Sequence, residues 1–293
     1  YLSGGIGGAK LAKGFYNLND IDLTIIVNTG DDETIHGVRL SPDIDSVIYA
    51  LAEIEGRFGW GQKNDTFSVS EEYKKYLPQE FNLGDKDLAL NLFRNQLFSE
   101  GKSLTQITNI ITDKFDLNCK ILPMTDNLVS TKIKTTNGKL LDFQEYFVEL
   151  KSEPKISEVI YLESEKADIT EEVSNALDQA DKIVVGPSNP ILSIGPILAI
   201  QNLKDKLTNS SSTYVVSPFI ENKAIKGPSK KNFEDLGYKS DITGIKEFYN
   251  NIGNYYIVQS GDTDKAENTI EKNILFKSTE DSTNLARYIV DHE

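Results

Sequence analysis

Residues 1–10 read YLSGGIGGAK, and this stretch decides the fold. Its first three residues are typical of the end of a buried strand, and residues 9–12 open a helix. Four glycines in this position let the backbone approach a ligand closely and leave N–H groups free at the positive end of the helix. The stretch therefore predicts a strand–loop–helix unit that binds phosphate through Gly5, Gly7, Gly8 and Lys10. A tight turn without a ligand is the alternative.

The glycine spacing differs from two common phosphate-binding motifs. Lys10 stands where a dinucleotide fingerprint has its third glycine, and no Gly-Lys-Ser/Thr follows the four-residue gap of a P-loop. Lys10 instead adds a cation beside the loop, which favours an anionic ligand. Because the strand is already under way at Tyr1, we expect further residues upstream.

Composition narrows the class of protein. A chain of 293 residues forms one large α/β domain or two smaller ones. Its net charge of -14, without a basic stripe, argues against a nucleic-acid partner. The single cysteine excludes an internal disulfide, and two histidines make a histidine-based zinc site unfavourable. Without a membrane-spanning apolar run or a visible signal peptide, we expect a cytoplasmic enzyme with no membrane partner.

Strand-like and helix-like segments alternate along the chain, which predicts an α/β fold with a mainly parallel sheet covered by helices on both faces. Ligands then bind at the carboxyl ends of the strands. The predicted strands are 23–27, 159–162, 183–185, 214–216 and 255–258. The predicted helices are 44–54, 85–100, 103–115, 171–180 and 191–203, and a hairpin spans 129–148 around Asn137-Gly138.

Aspartates follow the second strand and open the next helix. Asp31 and Asp32 are candidates to contact a ribose, a hydroxyl or a metal, although Asn, Gly and Asp are also favoured in turns. Asp43 and Asp45 point about 200° apart on a regular helix, so we do not expect them to share a ligand. Asp43 suits the helix dipole, and Asp45 is the better candidate for a hard cation such as Mg²⁺.

Two segments in the middle of the chain are candidates for ligand contact. Trp60, the only tryptophan, lies between two glycines and is suited either to stacking on a flat ligand or to anchoring a loop, and Asp65 follows closely. Lys86 lies among three adjacent charges at a helix start, where the alternative is an ordinary acidic helix N-terminus.

The later half offers a second candidate nucleotide loop. Gly186, Ser188 and Asn189 follow a buried strand and precede a helix whose free N–H groups suit a phosphate or nucleotide, and Ser193 extends this entry. A rigid strand-to-helix turn is the alternative. Lys226, between Ile225 and Gly227, is in reach of a phosphate if it is not simply a surface lysine.

The sequence lacks the elements of covalent catalysis. It has no Gly-x-Ser-x-Gly elbow, no His-Glu-x-x-His pair and no Ser–His–Asp set. Glycine loops, several aspartates and no nucleophile fit phosphoryl transfer, which depends on positioning and on metal-assisted charge neutralisation.

Ten stretches, in order from residue 2 to about residue 231, together resemble the 2-phospho-L-lactate transferase family, the CofD/FbiA-type enzymes of coenzyme F-420 biosynthesis. They read LSGGIGGAKL, NTGDD, SPDIDS, GWGQKNDTF, LGDKDLA, ILPMTDN, FQEYFV, GPSNPILSIGPILAI, SPFI and KGPSKK.

The resemblance implies a reaction and an architecture. The family transfers a phospholactyl-type group from a GDP-linked donor to the ribityl hydroxyl of the deazaflavin Fo, releases GMP, needs Mg²⁺ and is usually a homodimer. It has a Rossmann-like core. For this chain the resemblance implies one domain, 1–293, with the core at about 1–40 and 155–293 and a helical and hairpin insertion at about 41–154.

The resemblance also implies roles for residues. The first glycine loop and Lys10 match a diphosphate cradle, Asp45 and Asp43 match catalytic acids, and Asp45 and Asp32 are the implied metal ligands. Lys86 stands where the family usually has Arg, which keeps the charge but loses a bidentate fork. Ile6 stands where many members have Thr. The implied Fo-binding residues are Asn28, Asp45, Trp60, Asp65, Lys86 and Met124. The implied nucleotide-binding residues are Gly186, Ser188, Asn189, Ser193 and Lys226.

Two other functions stay open on the sequence. One is a non-catalytic, nucleotide-sugar-binding regulator of the CofD-like group, against which GWGQKNDTF and LGDKDLA argue. The other is a Rossmann dehydrogenase, against which the missing third glycine and the lack of an acid–base histidine argue. Nothing in the sequence selects among phospholactate, phosphoenolpyruvate-derived and phosphoglycerate-derived donors.

Overall fold

The computed structural model describes residues 1–57, 59, 61–77, 82–220, 228–250, 252–261 and 266–292, together with the backbone of 223–224. The strands are β1 (Leu2–Ser3), β2 (Thr24–Val27), β3 (Glu33–Ile35), β4 (Val38–Leu40), β5 (Lys120–Pro123), β6 (Ser130–Thr135), β7 (Leu140–Asp142), β8 (Ile156–Leu162), β9 (Ile183–Val185), β10 (Thr213–Val216), β11 (Phe219–Ile220), β12 (Lys223–Ala224), β13 (Tyr255–Gln259) and β14 (Thr269–Lys272). The helices are α1 (Ile6–Tyr16), α2 (Pro42–Leu51), α3 (Ser68–Tyr73), α4 (Asp85–Ser99), α5 (Leu104–Lys114), α6 (Glu171–Asp178), α7 (Gly195–Leu198), α8 (Gln201–Asn209), α9 (Ser229–Asp235), α10 (Ile242–Tyr249) and α11 (Thr279–Asp291).

Seven parallel strands of the described chain form the main sheet, in the order β14-β13-β10-β9-β1-β2-β5. Leu2 of β1 pairs with Ile26 on one side and Val185 on the other. The chain moves outward from β1 through β2 to β5, and its second half then adds β9, β10, β13 and β14 on the opposite side. The direction of strand addition therefore reverses between β1 and β9, and ligands bind beyond the carboxyl ends of the strands at such a switch point.

Hydrophobic cores cover both faces of this sheet. Ile25 and Val27 of β2 face one core, which α1, α2, α5 and α11 complete. Ile26, between them, faces the other core, which includes α6, α8, α9, α10 and the sheet of β6 and β8. This alternation follows the two-residue period of a strand, and burial on both sides is typical of parallel sheets. The predicted α/β fold is confirmed.

The smaller sheets change the predicted division into core and insertion. β5 lies inside the range 41–154 but pairs with β2 in the main sheet. β8 lies in the range predicted for the core but pairs antiparallel with β6, in the order β7-β6-β8. The burial of β8 agrees with this pairing, because several of its side chains are exposed, as expected of a strand in a half-covered antiparallel sheet.

The structure confirms several predicted helices and divides the one predicted at 191–203. α5 begins after Ser103, whose side chain forms a reciprocal capping box with Gln106. The helix predicted at 191–203 is instead a π-helical turn (Pro190–Ile194), then α7, a break at Ile200 and α8. Pro196, at the start of α7, has no N–H to donate to the preceding turn, which favours the change from the π-helical turn to α7. No helix in the described parts of the chain is both long and apolar enough to cross a membrane.

Candidate active site

The loops after β1 and β9 meet at the switch point. The amide of Gly4 donates a hydrogen bond to Oγ of Ser188 at 3.0 Å. A Cβ atom at Gly4 would lie 2.5 Å from Oγ of Ser193, and one at Gly8 would lie 2.5 Å from Oγ of Ser188. Both positions therefore require glycine because the two loops approach each other so closely. The structure brings the predicted glycine loop together with Ser188 and Ser193.

The start of α1 presents free backbone amides beside this contact. The amide of Ala9 donates to the carbonyl of Gly5 at 2.9 Å, which is the first hydrogen bond of the helical ladder. The amides of Ile6, Gly7 and Gly8 come before this donor and have no acceptor within the helix. Lys10 is exposed and has no ion-pair partner among the described residues. Free amides, the positive helix end and a nearby cation together suit a phosphate group.

Asn28 connects two buried aspartates behind the glycine loop. Its Nδ2 donates to Oδ1 of Asp31 at 3.0 Å and to Oδ2 of Asp43 at 2.9 Å, while its Oδ1 accepts from the amide of Gly30 at 2.8 Å. Asn28 is completely buried. In this structure its side chain orients carboxylates, so it is not free for the predicted contact with Fo.

Asp43 lies against the glycine loop as well as at the start of α2. A Cβ atom at Gly5 would lie 2.5 Å from Oδ1 of Asp43, so the charge of Asp43 lies at the N-terminus of α1. Burial raises the pKa of Asp43 to about 6, against the opposing effect of the hydrogen bonds from Asn28 and Gly5. Burial, reinforced by Asp43 and Asp32, also raises the pKa of Asp31 well above its usual range. An anionic ligand at this loop would meet negative charge, which a cation or protons must offset.

Asp32 is the carboxylate best suited to a cation. Its Oδ2 accepts from Oγ of Ser41 at 2.7 Å and lies 3.7 Å from Nη2 of Arg39, but its buried Oδ1 has no hydrogen-bond partner among the described residues. The side chain is only 2% exposed, and burial raises its pKa to about 7. A cation would both complete the unpartnered oxygen and favour the ionised form.

Asp45 is held by a residue that the sequence did not single out. Nη1 of Arg94 donates to its Oδ2 at 3.1 Å, and Nη2 of Arg94 donates to its Oδ1. Arg94 is 1% exposed and also donates to Asn91, one turn earlier on α4. Asp45 is thus already paired with a buried cation, and the structure does not support the prediction that it is a Mg²⁺ ligand. The spacing of Asn91 and Arg94 by three on one helix was the available signal.

The described residues contain no ready-made metal site. Nowhere in them do three or more Asp, Glu, His or Cys side chains assemble in a way that holds a metal ion. Mg²⁺ in phosphoryl-transfer sites is commonly bound by one or two carboxylates together with substrate phosphates. Asp32, with one unpartnered oxygen, fits that type of site.

Asp65 and Lys86 lie on two segments that are joined by hydrogen bonds. The carboxylate of Asp65 accepts hydrogen bonds from the amides of Lys86 at 2.8 Å and Asp87 at 3.3 Å, so it caps α4. Nζ of Lys86 donates to the carbonyl of Lys63 at 2.9 Å and remains exposed. The carboxylate of Asp65, predicted to contact Fo, is committed to a helix cap here, whereas Lys86 is accessible.

Asp87 is an acid that the sequence did not single out. Burial raises its pKa to about 6, opposed by a hydrogen bond from Tyr49, and its buried Oδ1 has no hydrogen-bond partner in the described parts of the chain. Met124, predicted to line the Fo pocket, is 0% exposed and packs in a hydrophobic core, so its side chain makes no surface for a ligand. Trp60 and Lys226 lie outside the described residues.

The loop after β9 contains one residue with a clear local role. Oδ1 of Asn189 accepts from the amides of Ile191 at 3.0 Å and Leu192 at 3.2 Å, and its Nδ2 donates to Oδ1 of Asn232 at 2.9 Å. These contacts cap the helical turn and leave Asn189 shaping the loop rather than presenting its amide to a nucleotide. Gly186 precedes this loop, at the end of β9, where its amide donates to the carbonyl of Leu2 at 3.0 Å.

Comparisons with known proteins agree over nearly the whole chain. The family model described as 2-phospho-L-lactate transferase CofD matches residues 1–287. A protein of Methanocaldococcus jannaschii named 2-phospho-L-lactate transferase is 35% identical over 99% of this chain and 96% of its own length. A protein of the same name from Methanococcus vannielii is 36% identical with the same coverage.

Solved structures show a similar fold at much lower identity. A UPF0052 family protein of Bacillus halodurans has a TM-score of 0.67 and 14% identity, covering 99% of this chain and 97% of its own. A second crystal structure of a protein from that organism gives a TM-score of 0.69 at 16% identity, with 99% and 98% coverage. At this level of identity the likeness concerns the fold alone.

Proposed function

The chain belongs to the 2-phospho-L-lactate transferase CofD family, and on this basis we propose that it transfers a phospholactyl-type group from a GDP-linked donor to the deazaflavin Fo. The terminal ribityl hydroxyl of Fo attacks the phosphorus that carries the three-carbon acid. A new P–O bond joins Fo to that phosphate, the P–O bond to GMP breaks, and GMP leaves. The hydroxyl proton passes to a carboxylate or to solvent.

The contact of Gly4 with Ser188 is the single observation that carries this proposal. It places a glycine loop, a helix N-terminus and the loop after β9 at one end of the sheet. A diphosphate is long enough to use both loops, whereas a single phosphate needs only one. We assign the diphosphate to the amides of the first loop and to Lys10, and the guanosine side to Gly186, Ser188 and Ser193. Lys226 is a further candidate for a phosphate contact.

We propose that Mg²⁺ binds together with the donor diphosphate and that Asp32 supplies the protein oxygen. When bound, it neutralises negative charge around the reacting phosphorus. Asp43 acts beside it as the acid that holds the glycine loop, through the amide of Gly5. Because Asp31, Asp32 and Asp43 are all buried, ionising them together is unfavourable without an added cation.

We assign the acceptor side to Asp45, Lys86 and Trp60. Asp45 orients the ribityl hydroxyl by accepting its hydrogen bond, and Lys86 is exposed in the first turn of α4, where its Nζ contacts the carbonyl of Lys63. Phosphoryl transfer with a loose transition state depends little on a strong base, so an ion-paired carboxylate is adequate for this task. The family resemblance further supports a homodimer.

A nucleotide-sugar-binding regulator is the competing function. It would use the same glycine loop and would not need an acceptor site. The 35–36% identical relatives are named transferases, whereas the UPF0052 structures are only 14–16% identical. The family relationship therefore favours the transferase.

Two lysine variants test the proposed division of the site. We expect Lys86→Ala to weaken Fo binding about tenfold and to leave GDP binding unchanged, because it removes a charge only at the acceptor side. Lys10→Ala is the matched control, with the opposite expected pattern. Fluorescence titration of Fo and calorimetric titration of GDP measure both. Binding of GDP with no binding of Fo by the wild-type chain would favour the regulator.

A further inference from the structure

We propose that Arg94 is a positioning residue for the acceptor hydroxyl, acting through Asp45. This inference rests on the proposed function, because the acceptor it concerns is Fo. Arg94 itself has no exposed surface from which to contact a substrate, at 1% exposure. Its effect on transfer must therefore pass through the residues that it holds.

The geometry restricts Asp45 to one orientation. Two nitrogens of the guanidinium donate to the two carboxylate oxygens, one of them at 3.1 Å. The pair joins α4 to α2, and Asn91 holds the guanidinium from the preceding turn of α4. A planar fork matched to a carboxylate fixes both the position and the rotation of that carboxylate, which a single ammonium contact does not. The lone pairs of Asp45 that the fork leaves unused thus have a defined direction.

Among the described residues, Arg94 forms its ion pair with Asp45 alone. Asp32, the proposed protein ligand of Mg²⁺, has partners of its own in Ser41 and Arg39. Removing the guanidinium would therefore leave Asp45 without its partner but leave the contacts of Asp32 in place. The expected consequence is a rearrangement of Asp45, which depends on Arg94 for both oxygens.

Burial separates this pair from an ordinary surface ion pair. Arg287 and Asp20 form the same two-point contact, at 2.8 and 2.6 Å, but their side chains are 39% and 61% exposed. A buried ion pair costs desolvation and often contributes no more to stability than a packed apolar pair. Because the exposed Arg287–Asp20 pair has the same two-point geometry, its removal is a matched control for losing such a contact away from the site.

The test compares Arg94→Lys, Arg94→Gln and Arg287→Gln in steady-state transfer. We expect kcat/KM for Fo to fall about tenfold in Arg94→Lys, which keeps the charge but loses the fork, and about a hundredfold in Arg94→Gln. The KM of the GDP-linked donor should stay within about twofold, because the glycine loop is untouched. Arg287→Gln should match the wild type. A merely structural role for Arg94 would alter donor and acceptor parameters together.

A double-mutant cycle shows whether the effect passes through Asp45. In an Asp45→Asn background, we expect Arg94→Gln to change the Kd of Fo less than about threefold, because the two losses share one cause. An equal fold-change in both backgrounds would overturn the inference. If Arg94→Gln fails to fold, Arg94→Lys decides, and unchanged kcat/KM for Fo in that variant overturns the inference. A wild-type chain that transfers nothing rejects the proposed function and this inference with it, whereas an active wild type with an unaffected Arg94→Lys rejects only the inference.

Discussion

The amide of Gly4 and the hydroxyl of Ser188, 184 residues apart in sequence, share a hydrogen bond of 3.0 Å. Gly4 follows β1, the first strand of the main sheet, and Ser188 lies in the loop after β9, the first main-sheet strand of the second half. The bond is buried, so the two loops behave as one unit. Disturbing either loop should consequently disturb the proposed donor site as a whole.

Removal of the Ser188 hydroxyl should weaken donor binding. We expect Ser188→Ala to raise the KM of the GDP-linked donor about tenfold and to lower the free energy of unfolding by about 1–2 kcal/mol, because the buried amide of Gly4 loses its acceptor. Donor kinetics and urea unfolding measure the two effects. Ser282→Ala removes another buried hydroxyl, which donates to the carbonyl of Thr279 away from the site, and should affect stability alone. Equal donor KM in both variants would contradict the assignment.

The close approach of Gly4 to Ser193 should be recoverable by a compensating change. Gly4→Ala places a methyl group 2.5 Å from Oγ of Ser193, and we expect a loss of about 1–3 kcal/mol in unfolding free energy. Ser193→Gly removes the opposing side chain, so the double variant should regain most of that loss. Thermal unfolding of the four proteins measures the coupling. Additive losses would show that the two loops are not in contact.

Asp32 should make stability depend on pH. Burial raises its pKa from 3.8 to about 7, so the folded chain binds this proton more tightly than the unfolded chain. Its stabilising effect is complete below the unfolded pKa and is lost as the pH rises through about 7. We therefore expect Asp32→Asn to gain about 2 kcal/mol in unfolding free energy relative to the wild type between pH 5 and pH 8.

Asp20 provides the control for that pH series. A hydrogen bond from Arg287 is the main cause that lowers the pKa of Asp20, so Asp20 is ionised in both the folded and the unfolded chain throughout pH 5–8. Denaturant unfolding of Asp20→Asn should follow the wild type at a constant offset over this range. A constant offset for Asp32→Asn as well would mean that Asp32 does not carry a raised pKa.

Asp65 should prove to be a structural residue at the acceptor side. We expect Asp65→Ala to lower the unfolding free energy by about 1 kcal/mol, because α4 loses its cap. Ser103→Ala, which removes the cap of α5, should cost a similar amount. Urea unfolding compares them. If Asp65→Ala leaves the unfolding free energy and the slope of the transition unchanged but abolishes Fo binding, Asp65 contacts the ligand directly, as the sequence predicted.

Sequence alone located the glycine loop and the strands around it, because both signals are local. Gly4 and Gly8 lie between an apolar segment and a helical one, and β2, β9 and β10 are short apolar runs typical of strands buried on both faces. The same rule failed for β8. Its apolar residues form a continuous run, yet it belongs to a partly exposed antiparallel sheet.

Residues whose roles depend on distant partners were harder to assign. Asp45 and Arg94 are 49 positions apart, and an arginine on a helix is usually exposed, so nothing local indicates their pairing. Aspartate suits both a helix cap and a substrate contact, which is why sequence could not separate these roles for Asp65. Asn28 posed the same difficulty, because its amide serves equally well to orient carboxylates or to bind a ligand.

The most direct measurement is a transfer assay with Fo, Mg²⁺ and each of the three GDP-linked acids, following GMP release and the mass of the Fo product. The account predicts equal amounts of GMP and of Fo joined to one phospho-acid, with both lost when EDTA replaces Mg²⁺. No product from any donor, combined with tight binding of a nucleotide sugar and none of Fo, would contradict the account and identify a regulator.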